Sequence, residues 1–154
     1  MVTNALRLLK AKGIAHRTLE YAYDEADLSA LSAAAKLELD PDMVFKTLVA
    51  VGDKSGPFMC VIPGPAELDL KKAAKASGNK SVAMLPLKEL EPLTGYQRGG
   101  CSPVGSKKPL PVFLDETAQV WDEISVSAGA RGLQMVLSPA ALIEATGAGF
   151  ADLI

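Results

Sequence analysis

The 154 residues, 49% of them apolar and 22% charged, amount to about one domain, with enough apolar side chains for a core and too many for intrinsic disorder. With 16 Lys and Arg against 18 Asp and Glu the formal charge is −2, so the summed field does not hold a polyanion unaided at physiological salt. Aromatics at 5% leave few platforms for stacking bases, two distant cysteines exclude a disulfide framework, and a single histidine gives no support for a zinc site.

Taken in chain order, Thr3 is placed to cap a first helix that runs through Leu6 and Leu9 and stops at Gly13. A short strand through His16 to Tyr21 follows. Asp27 or Ser29 starts a second helix with Leu31, Ala34 and Ala35 on its inner face, ending near Leu39, and Asp40-Pro41 opens one further turn. Val44 to Val51 and Phe58 to Ile62 are β-branched or apolar runs joined by Gly52-Asp53-Lys54-Ser55-Gly56. They predict a hairpin of central strands, buried on both faces.

Asp69 to Gly78, with its Asp cap, Ala-rich middle and terminal Gly, predicts a basic, partly exposed helix. A strand at Ser81 to Leu85 leads into a Pro86-started helix ending by Gly95, and Tyr96 to Pro111 carries neither period. Val112 to Leu114, Trp121 to Val126 and Leu133 to Leu137 predict strands, the last two joined by a turn over Ser127 to Gly132. Ser138-Pro139 opens a final helix ending at Gly147. Helices and hairpins interleave without regular βαβ alternation. The expectation is a single α/β domain of the α+β kind over residues 1–154, with a mixed, largely antiparallel, curved β-sheet surrounded by helices. No run of ~18 apolar residues and no apolar leader stretch is present, which predicts a protein of the reducing cytoplasm with no membrane partner.

Lys46 is the most informative residue, because period-2 alternation sets it on one face with Val44, Leu48 and Ala50. Either its stem is buried at the strand's start and its ammonium snorkels to water, or the ammonium projects into a partly dry pocket. The second alternative is preferred, since there the charge would bond a substrate carbonyl, ester oxygen or phosphate more strongly than in bulk water.

The second signal is the stretch Tyr96 to Lys108, in which Gly99, Gly100, Gly105 and Pro103 fall within seven positions. Such a loop brings backbone N–H groups close to a ligand and can form an anion or oxyanion nest, or it is an ordinary tight turn. It is not a nucleotide-binding P-loop. The residues after Gly105 are Ser-Lys rather than Lys-Ser, Pro103 lies inside the loop, and Pro109 and Pro111 forbid the helix that should follow.

Cys101, with His16 as its base, is a weak nucleophile pairing because nothing brings the histidine near, and Cys60 lies within a core strand. Arg131, in the Gly129 to Gly132 turn, suits either a phosphate or terminal carboxylate or plain exposure to solvent. Lys71-Lys72 and Lys107-Lys108 form either a small phosphate-facing patch or solvated surface.

Taken together, Val44-Phe45-Lys46-Thr47-Leu48, Glu67 to Lys72, Gly95-Tyr96, Gly99 to Gly105 with Lys107-Lys108, and Arg131-Gly132-Leu133 resemble the YbaK/EbsC family over nearly the full length. Members are free-standing relatives of the editing insertion of bacterial prolyl-tRNA synthetases. The resemblance implies a hydrolase- or lyase-type deacylase that cleaves the ester of mischarged tRNA, Cys-tRNA(Pro) above all, with Ala- or Ser-tRNA as the alternative within the family. The alternative outside it is a non-catalytic module holding an amino acid or aminoacyl nucleotide.

By that resemblance Lys46 is the residue on which activity depends, and Gly99, Gly100, Cys101, Ser102 and Pro103 form the Gly-x-x-x-Pro loop that borders the aminoacyl pocket. Tyr21 matches a pocket-wall tyrosine, and Gln134 stands where some members have aspartate, so that an amide would serve in place of a carboxylate. Arg131 completes the expected substrate-binding set. The implied partners are the acceptor end of aminoacyl-tRNA and a presenting prolyl-tRNA synthetase, with no DNA and no cofactor. With no competent protein nucleophile in the sequence, water or the substrate's own thiol attacks while Lys46 and loop N–H groups position the ester.

Overall fold

The computed structural model describes residues 2–154. Two sheets carry the fold. One has three strands in the order β1 (Arg17–Glu20), β7 (Leu133–Leu137), β6 (Ile124–Ala130). The other has five, in the order β4 (Val82–Met84), β2 (Phe45–Gly52), β3 (Gly56–Pro63), β5 (Val112–Asp115), β8 (Gly149–Ala151). All pairings are antiparallel except β3 with β5 and β5 with β8. A parallel bridge between Val44 and Ser125 joins the two sheets.

Each helix ends where its local chemistry ends it. In α1 (Asn4–Ala11) the Thr3 hydroxyl accepts from the Leu6 amide at 3.2 Å and donates to the Ala128 carbonyl of β6 at 2.5 Å, so one side chain caps the helix and docks it. Ser29, Asp69 and Ser138 cap α2 (Ala30–Leu37), α3 (Leu70–Ser77) and α5 (Pro139–Thr146) in the same way. Gly78 and Gly147 close the last two in the left-handed conformation.

The larger core fills the space between the sheets, with Phe45, Met59 and Val61 from one, Val126 and Met135 from the other, and Leu9 of α1 and Leu142 of α5 closing it. A smaller cluster lies on the opposite face of the five-stranded sheet, where Phe58, Cys60 and Ile62 meet Ala73 and Leu153. There Phe58 and Phe113 pack edge to face with centroids 5.6 Å apart.

Several expectations are corrected. The strand predicted from Trp121 begins at Ile124, because Glu116–Val120 winds into a 3-10 turn that the Trp121 amide closes on the Ala118 carbonyl. The predicted turn over Ser127 to Gly132 is mostly strand. A register shift between Ser127 and Ala130, with Gly129 at φ +98°, carries β6 to Ala130 as a bulge. The inner face of α2 is Ala33 and Ala34, while Leu31 and Ala35 face solvent. The helix after Pro86 is split into a 3-10 turn and α4 (Leu90–Thr94).

Strand β8, not expected, is held parallel to β5, and the fully buried Asp115 carboxylate accepts from the Leu153 amide at 2.9 Å just beyond it. Finally, β2 is not buried throughout. Its pairing with β4 covers only Ala50 to Gly52, with a last bond from the Leu85 amide to the Val49 carbonyl. From Phe45 to Leu48 one edge of the strand has no strand neighbour, and Lys46 to Leu48 are only partly buried.

Candidate active site

A cavity of about 350 Å3 runs along that free edge of β2. An edge is shared by both faces of a strand, so Lys46 and Leu48 from one face and Phe45, Thr47 and Val49 from the other all reach it. The opposite walls come from α2 with the residues before it (Leu28, Ala30, Ala33), from Met84 to Leu90, from the glycine loop, and from the polar face of the three-stranded sheet. That polar face is a stripe of Ser125, Ser127 and Gln134, all buried, in which Ser125 Oγ donates to Gln134 Oε1 at 2.9 Å.

Lys46 reaches from β2 to the Gly64 carbonyl, where its ammonium donates at 3.0 Å. Gly64 is itself bonded to the Val44 carbonyl at 2.8 Å, and a Cβ on it would lie 2.9 Å from the Ala30 Cβ. The chain closes tightly here and the ammonium is held beside the start of α2. Burial lowers the Lys46 pKa below the ordinary lysine value, and the charge of Glu67 opposes that shift. One of the three ammonium N–H bonds is engaged by Gly64, which leaves two for a ligand.

Gly99 and Cys101 line the same cavity as Lys46. Gly99 sits at φ +83° with Leu28 so close that a Cβ would approach its side chain to 2.8 Å, so only glycine fits both conformation and contact. The Cys101 thiol is pushed up to about 12 by burial, as is that of Cys60, and neither is an available nucleophile near neutral pH. His16 does not line the cavity, and its Nδ1 lies 2.9 Å from the Ile14 carbonyl.

The rest of the expected set divides. Tyr21 and Gln134 line the cavity, and burial raises the Tyr21 phenol against hydrogen bonds from the Gly132 backbone and the Gln134 side chain. Gly100 and Arg131 line a separate cleft behind the loop. Ser102 and Pro103 are buried and line neither; the Ser102 hydroxyl accepts from the Val104 amide at 3.2 Å and shapes the loop from below. Tyr96 pins the same turn by donating to the Val104 carbonyl at 2.6 Å.

Four polar residues of the cavity were not expected there from sequence: Ser29, Thr47, Ser127 and Arg98. Thr47 Oγ1 is buried without a hydrogen-bond partner. By strand alternation its backbone N–H and C=O face the unpaired edge, as those of Val49 face β4. The serines had a faint signal, in that Ser125 and Ser127 alternate with Ile124, Val126 and Ala128 and so mark a polar face on a buried strand. Among the described residues no group of three or more His, Cys, Asp and Glu is placed to hold a metal ion.

The arrangement presents one desolvated cation, unpaired strand-edge groups and a glycine rim around a mostly apolar space, which suits a polarised carbonyl or ester more than a free anion. Residues 25–145 match the family model described as "Aminoacyl-tRNA editing domain". The chain is 52% identical over 151 residues, 98% of its length and 92% of the relative's, to an Enterococcus faecalis protein named "Putative Cys-tRNA(Pro)/Cys-tRNA(Cys) deacylase EbsC". Among solved structures, one described as "a putative trans-editing enzyme for prolyl tRNA synthetase" superposes with a TM-score of 0.85 at 30% identity, covering 99% of this chain and 98% of the other. A hypothetical protein superposes at 0.89 with 27% identity, covering 98% and 99%.

Proposed function

The chain belongs to the aminoacyl-tRNA editing domain family, and on that premise we propose that it is a cytoplasmic trans-editing deacylase whose substrate is cysteine esterified to proline tRNA. The observation that carries this is the enclosure of the Lys46 ammonium and the Gly99 rim within one largely apolar cavity. At about 350 Å3 it falls in the size range of small-molecule sites and accepts an aminoacyl group with its ribose.

The ester is an activated acyl group, so the protein needs to position it and stabilise charge rather than supply a nucleophile. Lys46 donates to the ester oxygens with the N–H bonds that Gly64 leaves free, and loop and strand-edge N–H groups complete the donor set. For a cysteinyl ester the substrate's thiol attacks its own carbonyl. The C–S bond forms, the ester C–O bond breaks, the thiol proton passes to the departing ribose oxygen to make its hydroxyl, and a cyclic thiolactone leaves. Water takes the place of the thiol for other esters and yields the free amino acid.

Tyr21 and Gln134 close the end of the pocket against the amino acid. An acidic protein of charge −2 holds tRNA weakly by itself, so prolyl-tRNA synthetase presents the mischarged end to it. The deciding experiment is a panel of tRNAs charged with cysteine, alanine, serine and proline, with release of labelled amino acid as the readout. Cleavage of the cysteinyl ester in preference to the others is expected. Cleavage chiefly of the alanyl or seryl ester changes the substrate, and binding without turnover of any ester overturns the enzyme.

A further inference from the structure

The second cleft, about 330 Å3 in volume, lies behind the glycine loop and has no part in the chemistry above. It is lined by Tyr23, Glu91, Gln97, Gly100, Gly129 and Arg131 among others. Near neighbours in the chain alternate between the two spaces: Gly99 faces the reaction cavity and Gly100 the cleft, Tyr21 the cavity and Tyr23 the cleft, Ser127 the cavity and Gly129 the cleft.

The partition is thin and tightly packed. Tyr21 donates its amide to the Gly132 carbonyl at 3.0 Å, and a Cβ on Gly132 would lie 2.9 Å from the Tyr23 ring. A Cβ on Gly100 would come within 3.0 Å of the backbone of Ala130 and Arg131.

Arg131 is fixed across this partition, its Nε donating to the Arg98 carbonyl at 2.9 Å. One of its five N–H bonds is used there, and among the described residues no carboxylate pairs with it. An anchored guanidinium with a free fork fits a phosphate. The carboxylate of Glu91 in the same cleft would repel a bare anion, so the occupant has to offer it a donor. The Tyr23 ring, 45% exposed, adds a flat apolar face. A site for a phosphate, an exocyclic amine and an aromatic face, one residue's thickness from the cavity that takes the ester, describes a site for a nucleotide unit. In the CCA end common to tRNAs the unit before the terminal adenosine is a cytidine, whose exocyclic amine is the donor that a carboxylate reads.

We propose that the cleft receives this cytidine, with the phosphodiester between it and the adenosine on Arg131, the base against Tyr23 and its amine on Glu91. The proposal rests on the deacylase assignment and adds to it a site for the nucleic acid itself. Phosphate contacts set the register of the strand, so Arg131 would deliver the ester to Lys46 rather than touch it.

The test compares two small cysteinyl esters with the whole protein, one on adenosine and one on cytidylyl-adenosine. The added nucleotide is expected to raise kcat/KM by about tenfold, the scale of one charge-assisted contact, mostly through KM. In Arg131→Ala this gain falls below about twofold, and Arg131→Lys, which keeps the charge without the fork, restores part of it. Exchanging cytidine for uridine costs part of the gain in the wild type, and Glu91→Gln removes the difference between the two bases. Equal rates on the two esters in the wild type, or a gain that survives Arg131→Ala, overturns the proposal. A wild type that releases cysteine neither from these esters nor from Cys-tRNA(Pro) overturns instead the deacylase reading on which it rests, and one that cleaves Cys-tRNA(Pro) but neither ester overturns the proposal.

Discussion

Replacing Lys46 by methionine removes the ammonium while keeping an unbranched stem in the wall it shares with Leu48 and Ala30, so the charge goes and most of the wall stays. One preorganised donor to a developing oxyanion is worth about 10²–10³ in rate. The loss is expected in kcat and kcat/KM alike, since the contact strengthens only as charge develops. Lys46→Ala shows the same loss. Burial holds the Lys46 pKa below the ordinary lysine value, so wild-type activity declines on the alkaline side before a free lysine would titrate, and the variant has no such limb. Stability moves the other way. Because the fold disfavours the charged form, the unfolded chain holds this proton more tightly. Wild-type stability therefore rises with pH between the lowered folded pKa and the unfolded one, while Lys46→Met lacks that rise. The assays are release of labelled cysteine from Cys-tRNA(Pro) across a pH series and thermal unfolding by circular dichroism. A folded variant with wild-type turnover would refute the role given to the ammonium. A wild-type stability that shows no such rise with pH would refute the claim that the site holds a charge the fold disfavours.

Gly99→Ala forces a side chain into φ +83° and against Leu28 at 2.8 Å, so it costs about 1–3 kcal/mol of stability; denaturant unfolding reads it, and deacylation falls with it as the rim shifts. Cys101→Ala retains turnover within a few-fold, because a thiol pushed up to about 12 by burial is not a thiolate at working pH; a thioester trapped on the wild-type protein and seen by mass spectrometry would contradict this. Thr47→Val replaces a buried, unpartnered hydroxyl by a methyl group, and unfolding free energy rises by about 1 kcal/mol. Affinity of the isolated protein for tRNA is weak and falls steeply as salt is raised, and nanomolar binding at physiological salt would be the contrary result.

Much of the fold is legible because its signals are local. Thr3, Asp69 and Ser138 cap the helices they were expected to cap, Ser29 rather than Asp27 caps α2, and the 45–63 hairpin follows from two apolar runs around a Gly-rich turn. The misplacements share a cause. Small residues such as Ser127, Ala128 and Gly129 suit either a turn or a strand, and only pairing with β7 and the packing of Gly129 against Tyr96 decide in favour of a bulged strand. Likewise β8 is three residues whose place is set by a parallel partner and by the buried Asp115, neither of which a local window contains.

The site separates along the same line. Lys46 stands out because strand alternation predicts an apolar residue where a cation occurs, and the glycine loop stands out because its backbone conformations demand glycine. Alternation, however, gives the face of the strand and says nothing of its edge. The cavity exists because β4 stops pairing at Ala50 and leaves the edge of β2 open from Phe45 to Leu48, an absence of contact that no residue type encodes. For the same reason Thr47 was invisible and Ser127 gave only a faint signal. A hydroxyl in a strand is consistent with a satisfied interior or a wet surface, and its significance lies in whether a partner is present. Thr47, on the opposite face from Lys46, meets it only at that edge. The proposed chemistry thus depends on where a strand is left unpaired, and the lysine marks the place.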